Sequence, residues 1–135
     1  MKFRVPFGDV DMMGHVNNAK YLTYFETART NLLRQAFGSF PQGKLGLIIA
    51  RAEIDYKSPA RWDDELTVKV RPGSIGNSSF VYEYEITNQD GKVVATGKTV
   101  QVAYDYAKGV PIPVPELARD ILTKQIEESK DDDNH

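Results

Sequence analysis

An α+β fold, with one long amphipathic helix laid against five or six mostly antiparallel strands, follows from three observations on this sequence. Apolar residues recur at three-and-four spacing between Tyr21 and Ala36. From Leu47 onward, apolar and polar residues alternate along successive segments. The turn Asn88-Gln89-Asp90-Gly91 joins the last two of these segments at hairpin spacing. With 135 residues, 41% of them apolar, the chain is long enough to bury one sizeable core, and a single domain over residues 1–128 is expected.

A short strand around Lys2 to Val5 opens the chain. Tyr21, Leu22, Phe25, Ala28, Leu32, Leu33 and Ala36 then mark the buried face of a helix from about Asn18 to Phe37. Lys20, Thr23, Thr27, Thr30 and Arg34 fall on its wet side, and Gly38, Pro41 and Gly43 end it. Strands follow: Leu47 to Tyr56, a segment through Leu66, Val68 and Val70, one through Phe80, Tyr82, Tyr84 and Ile86, and Lys92 to Tyr104. Pro111, Pro113 and Pro115 cannot donate to a ladder, so the sheet is expected to stop before them. Pro115 suits a first helical position; Leu117, Ala118, Ile121 and Leu122 give a second helix its docking face ahead of a polar tail, residues 129–135. Both registers of the late strands carry apolar bulk, which makes the second sheet face or an edge a candidate subunit contact, most simply in a two-fold dimer.

Composition narrows the function. There is no cysteine, hence no disulfide, thiolate metal site or cysteine nucleophile. A net charge of −2 supplies no broad positive field, which argues against nucleic acid. No apolar run is long enough to span a bilayer and the N-terminus lacks a secretory apolar stretch, so no membrane association and a cytoplasmic location are expected. His15 and His135 form no spaced ligand cluster, so no metal is expected.

The chemistry is concentrated ahead of the first helix. Residues 7–18 hold Asp9, Asp11, Gly14, His15, Asn17 and Asn18 beside a helix start, whose free N–H groups and partial positive charge favour an anion. A carboxylate there can act on a carbonyl whose oxygen those N–H groups receive. Asp9 is read as ordering the loop, and one of Asn17 and Asn18 as the helix cap. Glu26 is a rival carboxylate; three residues before Arg29, it is read as half of a structural ion pair.

The run from Asp9 to Leu22, followed by Phe25-Glu26-Thr27-Ala28-Arg29, resembles the opening motif of the 4-hydroxybenzoyl-CoA thioesterase branch of the hotdog-fold superfamily. Glu53 to Leu66 is similar to that branch's second-to-third-strand segment, and Gly91 to Gly97 to its late hairpin. The resemblance covers roughly residues 3 to 115 and implies a curved sheet wrapped around a long helix. It further implies a homodimer or homotetramer with sites between subunits, no cofactor, and hydrolysis of an acyl thioester of coenzyme A or of acyl carrier protein. By the same resemblance Asp11 is the catalytic carboxylate, as nucleophile or general base, and the main-chain N–H of Asn18 polarises the carbonyl. The Asp11 to Asn18 stretch is also similar to the motif of plant acyl carrier protein thioesterases, which implies a part for His15; Met13 stands where that version has asparagine. Gly14, Val16, Asn17 and Tyr21 are expected against the substrate, with Ser78, Ser79 and Glu53 bordering the site. Tyr24 and Phe25 are read as core or acyl-pocket lining, and Lys57, Arg61 and Arg71 as candidates for coenzyme A phosphates. A hotdog hydratase or dehydratase and a non-catalytic acyl-binding module are the alternatives.

Overall fold

The computed structural model describes residues 1–37 and 45–133. Strand β1 (Lys2–Arg4) leads through a short 3-10 turn (Phe7–Asp9) to helix α1 (Lys20–Phe37). Strands β2 (Leu45–Tyr56), β3 (Glu65–Ile75), β4 (Ser79–Thr87), β5 (Val93–Asp105) and β6 (Val110–Pro111) follow, then helix α2 (Glu116–Asp133). All pairings are antiparallel, in the order β1-β3-β4-β5-β2, with β6 on β5. The expected α+β arrangement of a long helix on an antiparallel sheet is therefore present. The signals placed at Gly38, Pro41 and Gly43 lie outside the described residues.

Alternation of side chains decides which sheet face α1 covers. Phe80, Tyr82, Tyr84 and Ile86 of β4 are all buried on one face, where Phe25 of α1 stacks on Tyr84 with ring centroids 4.2 Å apart. Gly97 makes that approach possible: a Cβ there would sit 2.5 Å from the Glu53 carbonyl oxygen and 2.6 Å from the Phe25 ring. Helix α2 lies on the same face. The Tyr82 hydroxyl donates to Gln125 Oε1 (3.4 Å), and Gln125 Nε2 donates to the Leu32 carbonyl of α1 (3.1 Å).

The opposite face carries charges in register. Arg71, Glu83, Lys98 and Glu53 lie side by side across β3, β4, β5 and β2, one row from Lys69, Glu85, Thr96 and Asp55. Arg71 meets Glu83 at 3.5 Å and Lys98 meets Glu53 at 3.7 Å, so opposite charges face each other across neighbouring strands. The apolar residues that suggested a subunit contact, Val81, Val100 and Val102, occupy only one end of this face.

Several boundaries differ from expectation. Helix α1 starts at Lys20, because Asn17 Oδ1 accepts the Ala19 N–H (2.9 Å) and Asn17 is thereby the cap. Leu22, placed on the apolar face, is exposed. The sheet continues to Pro111: β6 pairs with β5 through Tyr104 and Asp105, and a two-residue edge strand does not need the missing proline donor. β3 runs past Pro72, where the pairing slips between Pro72 and Ile75, the irregularity that tolerates a proline. α2 continues into the polar tail as far as Asp133.

Candidate functional site

Residues 9–17 close on themselves. Val10 and Val16 form an antiparallel bridge, the Asn17 N–H donates to the Asp9 carbonyl (2.9 Å), and the Asp11 N–H donates to the His15 carbonyl (2.8 Å). The tip is Met12-Met13-Gly14, turned by Gly14 at φ 81°, where a side chain would be strained. A second wall holds this loop in place: the Val16 N–H donates to the Ala60 carbonyl (2.8 Å) and His15 bridges Arg61. The 57–61 segment after β2 thus runs beside the 15–18 segment.

Asp11 is exposed at the mouth of this loop. Its Oδ1 accepts the backbone N–H groups of Met13 (2.9 Å) and His15 (3.4 Å), while Oδ2 has no partner among the described residues. One oxygen is anchored and the other is free to act. The contact between His15 and Asp11 therefore runs through the His15 main chain.

Asp9 does different work. Its carboxylate is mostly buried, accepting the Tyr24 hydroxyl at 2.7 Å and meeting Lys20 Nζ at 3.7 Å. It thereby ties the base of the loop to the first and second turns of α1. Burial, and then the Asp9 carboxylate, push the Tyr24 phenol well above the usual tyrosine value, so it stays a proton donor.

The start of α1 is fixed by similar contacts. The Asn17 carbonyl accepts the Lys20 N–H (2.9 Å). In a trans peptide the C=O and the following N–H point in opposite directions, so the Asn18 N–H points ahead of the helix. Among the described residues it meets no acceptor, and Asn18 is exposed. The Tyr56 hydroxyl, from the end of β2, donates to the Asn18 carbonyl (3.2 Å) and braces the same corner.

The structure brings Asp11, Gly14, His15, Asn17 and Asn18 into one loop and helix start. Val16 and Tyr21, expected against the substrate, are 3% and 2% exposed and face the core instead, since the bridge between Val10 and Val16 turns Val16 inward. Ser78 and Ser79 sit at the far end of the sheet: Ser79 pairs with Val102, whereas Tyr56, beside Asn18, pairs with Ala95. Seven residues of β5 separate these rows, roughly 23 Å at about 3.3 Å per residue, so within one chain the serines do not border the loop. Glu53 points from the opposite sheet face, held by Arg51 and Lys98, and does not border the loop either. Glu26 makes no ion pair with Arg29, which turns into the core at 8% exposure toward the Tyr84 hydroxyl (3.4 Å). Arg71 belongs to the charged ladder. Sequence reasoning missed Tyr24 and Tyr56 as braces; nothing in a helical apolar stripe marks which tyrosine hydroxyl meets a carboxylate.

Among the described residues no group of three or more His, Cys, Asp or Glu is placed to hold a metal ion, and no helix is long and apolar enough to cross a membrane.

Comparison with known proteins bears on the family and the fold. The model of the family described as "Thioesterase-like superfamily" matches residues 5–122. The chain is 30% identical over 119 residues to the acyl-CoA thioesterase YbgC of Haemophilus influenzae, covering 83% of this chain and 85% of that one. Among solved structures, it is similar to a thioesterase from Thermus thermophilus complexed with coenzyme A and Zn (35% identity, TM-score 0.79, 93% of this chain and 94% of that one). It is also similar to a predicted thioesterase from Bacillus stearothermophilus (27% identity, TM-score 0.86, with 93% and 94% covered).

Proposed function

The chain belongs to the thioesterase-like superfamily, and from that premise we propose that it hydrolyses acyl-CoA thioesters at the Asp11 loop. The observation that carries this reading is the half-anchored carboxylate of Asp11 on a loop whose returning arm, bridged to the outgoing one at Val10 and Val16, runs straight into the outward-pointing N–H of Asn18 at the start of α1. The carbonyl oxygen of the thioester accepts the Asn18 N–H at the positive end of α1. Asp11 Oδ2 takes a proton from water as the water oxygen attacks the carbonyl carbon; the C–S bond then breaks and the thiolate leaves, taking up a proton. Direct attack by Oδ2, through a mixed anhydride, uses the same placement. In a single turnover in 18O-labelled water, label in Asp11 marks direct attack with the anhydride opened at the Asp11 carboxyl carbon, a step the general-base route lacks.

The minimal unit in this reading is a homodimer. β2 is the terminal strand of the sheet, twelve residues long, with Ile48 and Ile49 exposed, a template for pairing with a second copy. Two-fold antiparallel pairing of β2 sets the Ile48 end of one protomer beside the Tyr56 end of its partner. The Ser79 row then approaches the partner's loop, which reconciles Ser78 and Ser79 with a site they do not reach within one chain.

The test is thiol release and enoyl hydration followed together on a panel of acyl-CoA thioesters. Wild type releases thiol, Asp11→Asn loses about 100-fold to 10,000-fold in kcat, and Glu26→Gln retains activity. Hydration without thiol release would make the protein a hydratase, and binding without either activity an acyl-binding module.

A further inference from the structure

Around the catalytic loop most charges already have partners. Arg4 meets Asp63 (3.7 Å), Lys20 meets Asp9 (3.7 Å), and the Asp64 carboxylate accepts the Arg61 N–H (2.8 Å) and the Gln89 amide (3.1 Å). The Arg61 guanidinium is different. It is exposed, and among the described residues it meets no carboxylate. Its main chain pairs with His15, so it stands directly behind the loop that holds Asp11.

The next residue, Trp62, is 61% exposed, an unusual place for the largest apolar side chain. Phe7, itself 73% exposed, touches the indole edge-to-face at 5.9 Å and 89°, a contact that leaves an indole face open. The turn that presents both residues is held by several bonds. Asp63 has φ 65°, a left-handed conformation costly outside glycine, with its N–H on the Val5 carbonyl (3.1 Å) and its carbonyl taking Arg4 Nη1 (3.3 Å); the Asp64 N–H closes the turn on the Arg61 carbonyl (3.1 Å). A free guanidinium next to an open aromatic face, on a rigid corner, has the composition of a nucleotide seat: the fork takes phosphate and the ring takes the base.

We propose that Arg61 and Trp62 seat the phosphorylated adenosine end of coenzyme A, with Arg61 on a phosphate and Trp62 against the adenine. The inference rests on the thioesterase reading and sharpens it. A carrier-protein thioester ends in phosphopantetheine on a serine and has no adenosine, so this seat selects free coenzyme A thioesters. Because Arg61 lies across from His15, the coenzyme binds folded, its pantetheine arm returning along the 57–61 wall toward Asp11.

Trp62 is the sole tryptophan of the chain, so its fluorescence reports on the seat alone. Titration of the intact protein with adenosine 3′,5′-bisphosphate and with coenzyme A quenches that emission saturably, while pantetheine does not. Arg61→Gln, at an exposed position, weakens the bisphosphate response about tenfold, and raises the ratio of KM for acyl-CoA over acyl-pantetheine by a similar factor. Emission indifferent to the bisphosphate, or a KM ratio unchanged in both Arg61→Gln and Trp62→Leu, overturns the seat. Failure of the wider reading looks different: quenching intact, but no thiol released from any acyl thioester.

Discussion

Removing one hydroxyl, in Tyr24→Phe, isolates the tether between the Asp11 loop and α1. The Tyr24 ring is buried and its hydroxyl donates to a mostly buried carboxylate oxygen of Asp9 at 2.7 Å, a short, charge-assisted bond. Such bonds contribute about 1.5–3 kcal/mol, and the ring itself stays in place, so no cavity is added. For a chain of this size that corresponds to a fall in Tm of roughly 4 to 12 °C. Catalysis suffers separately. Asp9 also accepts the Asn17 N–H through its carbonyl, so loosening its side chain shifts both ends of the loop, and a displacement of about 1 Å costs on the order of 100-fold in kcat with little change in KM. Calorimetry and steady-state kinetics on wild type, Tyr24→Phe, Asp9→Asn and the double variant make the measurement. If the two residues act as one tether, the double variant loses less than the sum of the single losses. Thr123→Ala, which removes an exposed hydroxyl bonded to the Arg119 carbonyl in α2, stays within about 0.5 kcal/mol of wild type. A Tyr24→Phe protein as stable as wild type and with the same kcat refutes the tether, and with it the claim that Asp9 positions Asp11.

Three further outcomes follow from the packing of the core. Gly97→Ala forces a Cβ against the Glu53 carbonyl and the Phe25 ring, and chemical denaturation will show a loss of about 1–3 kcal/mol. Arg29 is a buried cation with no carboxylate partner among the described residues, so Arg29→Met leaves stability unchanged or raises it, whereas a paired arginine would lose about 3–5 kcal/mol. Tyr24 and Tyr82 hold their protons more tightly when folded, chiefly through burial. The unfolded chain loses those protons near the ordinary tyrosine value of about 10, so their contribution is complete below that pH and declines as pH rises above it. Denaturant midpoints followed from pH 8 to 11 will show this slope, and Tyr82→Phe will flatten it.

Much of the fold was legible because its determinants are local. Three-and-four spacing marked α1, alternation marked β3 and β4, and Asn88 with Gly91 marked the hairpin, whose Asn88 Oδ1 accepts the N–H groups of Asp90 and Lys92. The Asp11 loop was legible for the same reason: Asp11, Gly14, His15, Asn17 and Asn18 fall within eight consecutive positions, and the side chains of Asp11 and Asn17 accept N–H groups no more than four residues away. Contacts between distant segments left no such trace. Glu26 and Arg29 have the spacing of an ion pair, yet Arg29 turns inward because the Tyr84 hydroxyl lies beneath α1, 55 residues away in sequence. Tyr24 reads as core and is core, but its hydroxyl was given a function by a carboxylate from the preceding loop. Strand register set Glu53 in a charged ladder and Ser79 seven β5 residues from Tyr56. Residue type and spacing fix which local bonds a chain can make; only the closed sheet fixes which remote groups arrive beside them, and that decided the braces of the loop and the open corner at Arg61 and Trp62.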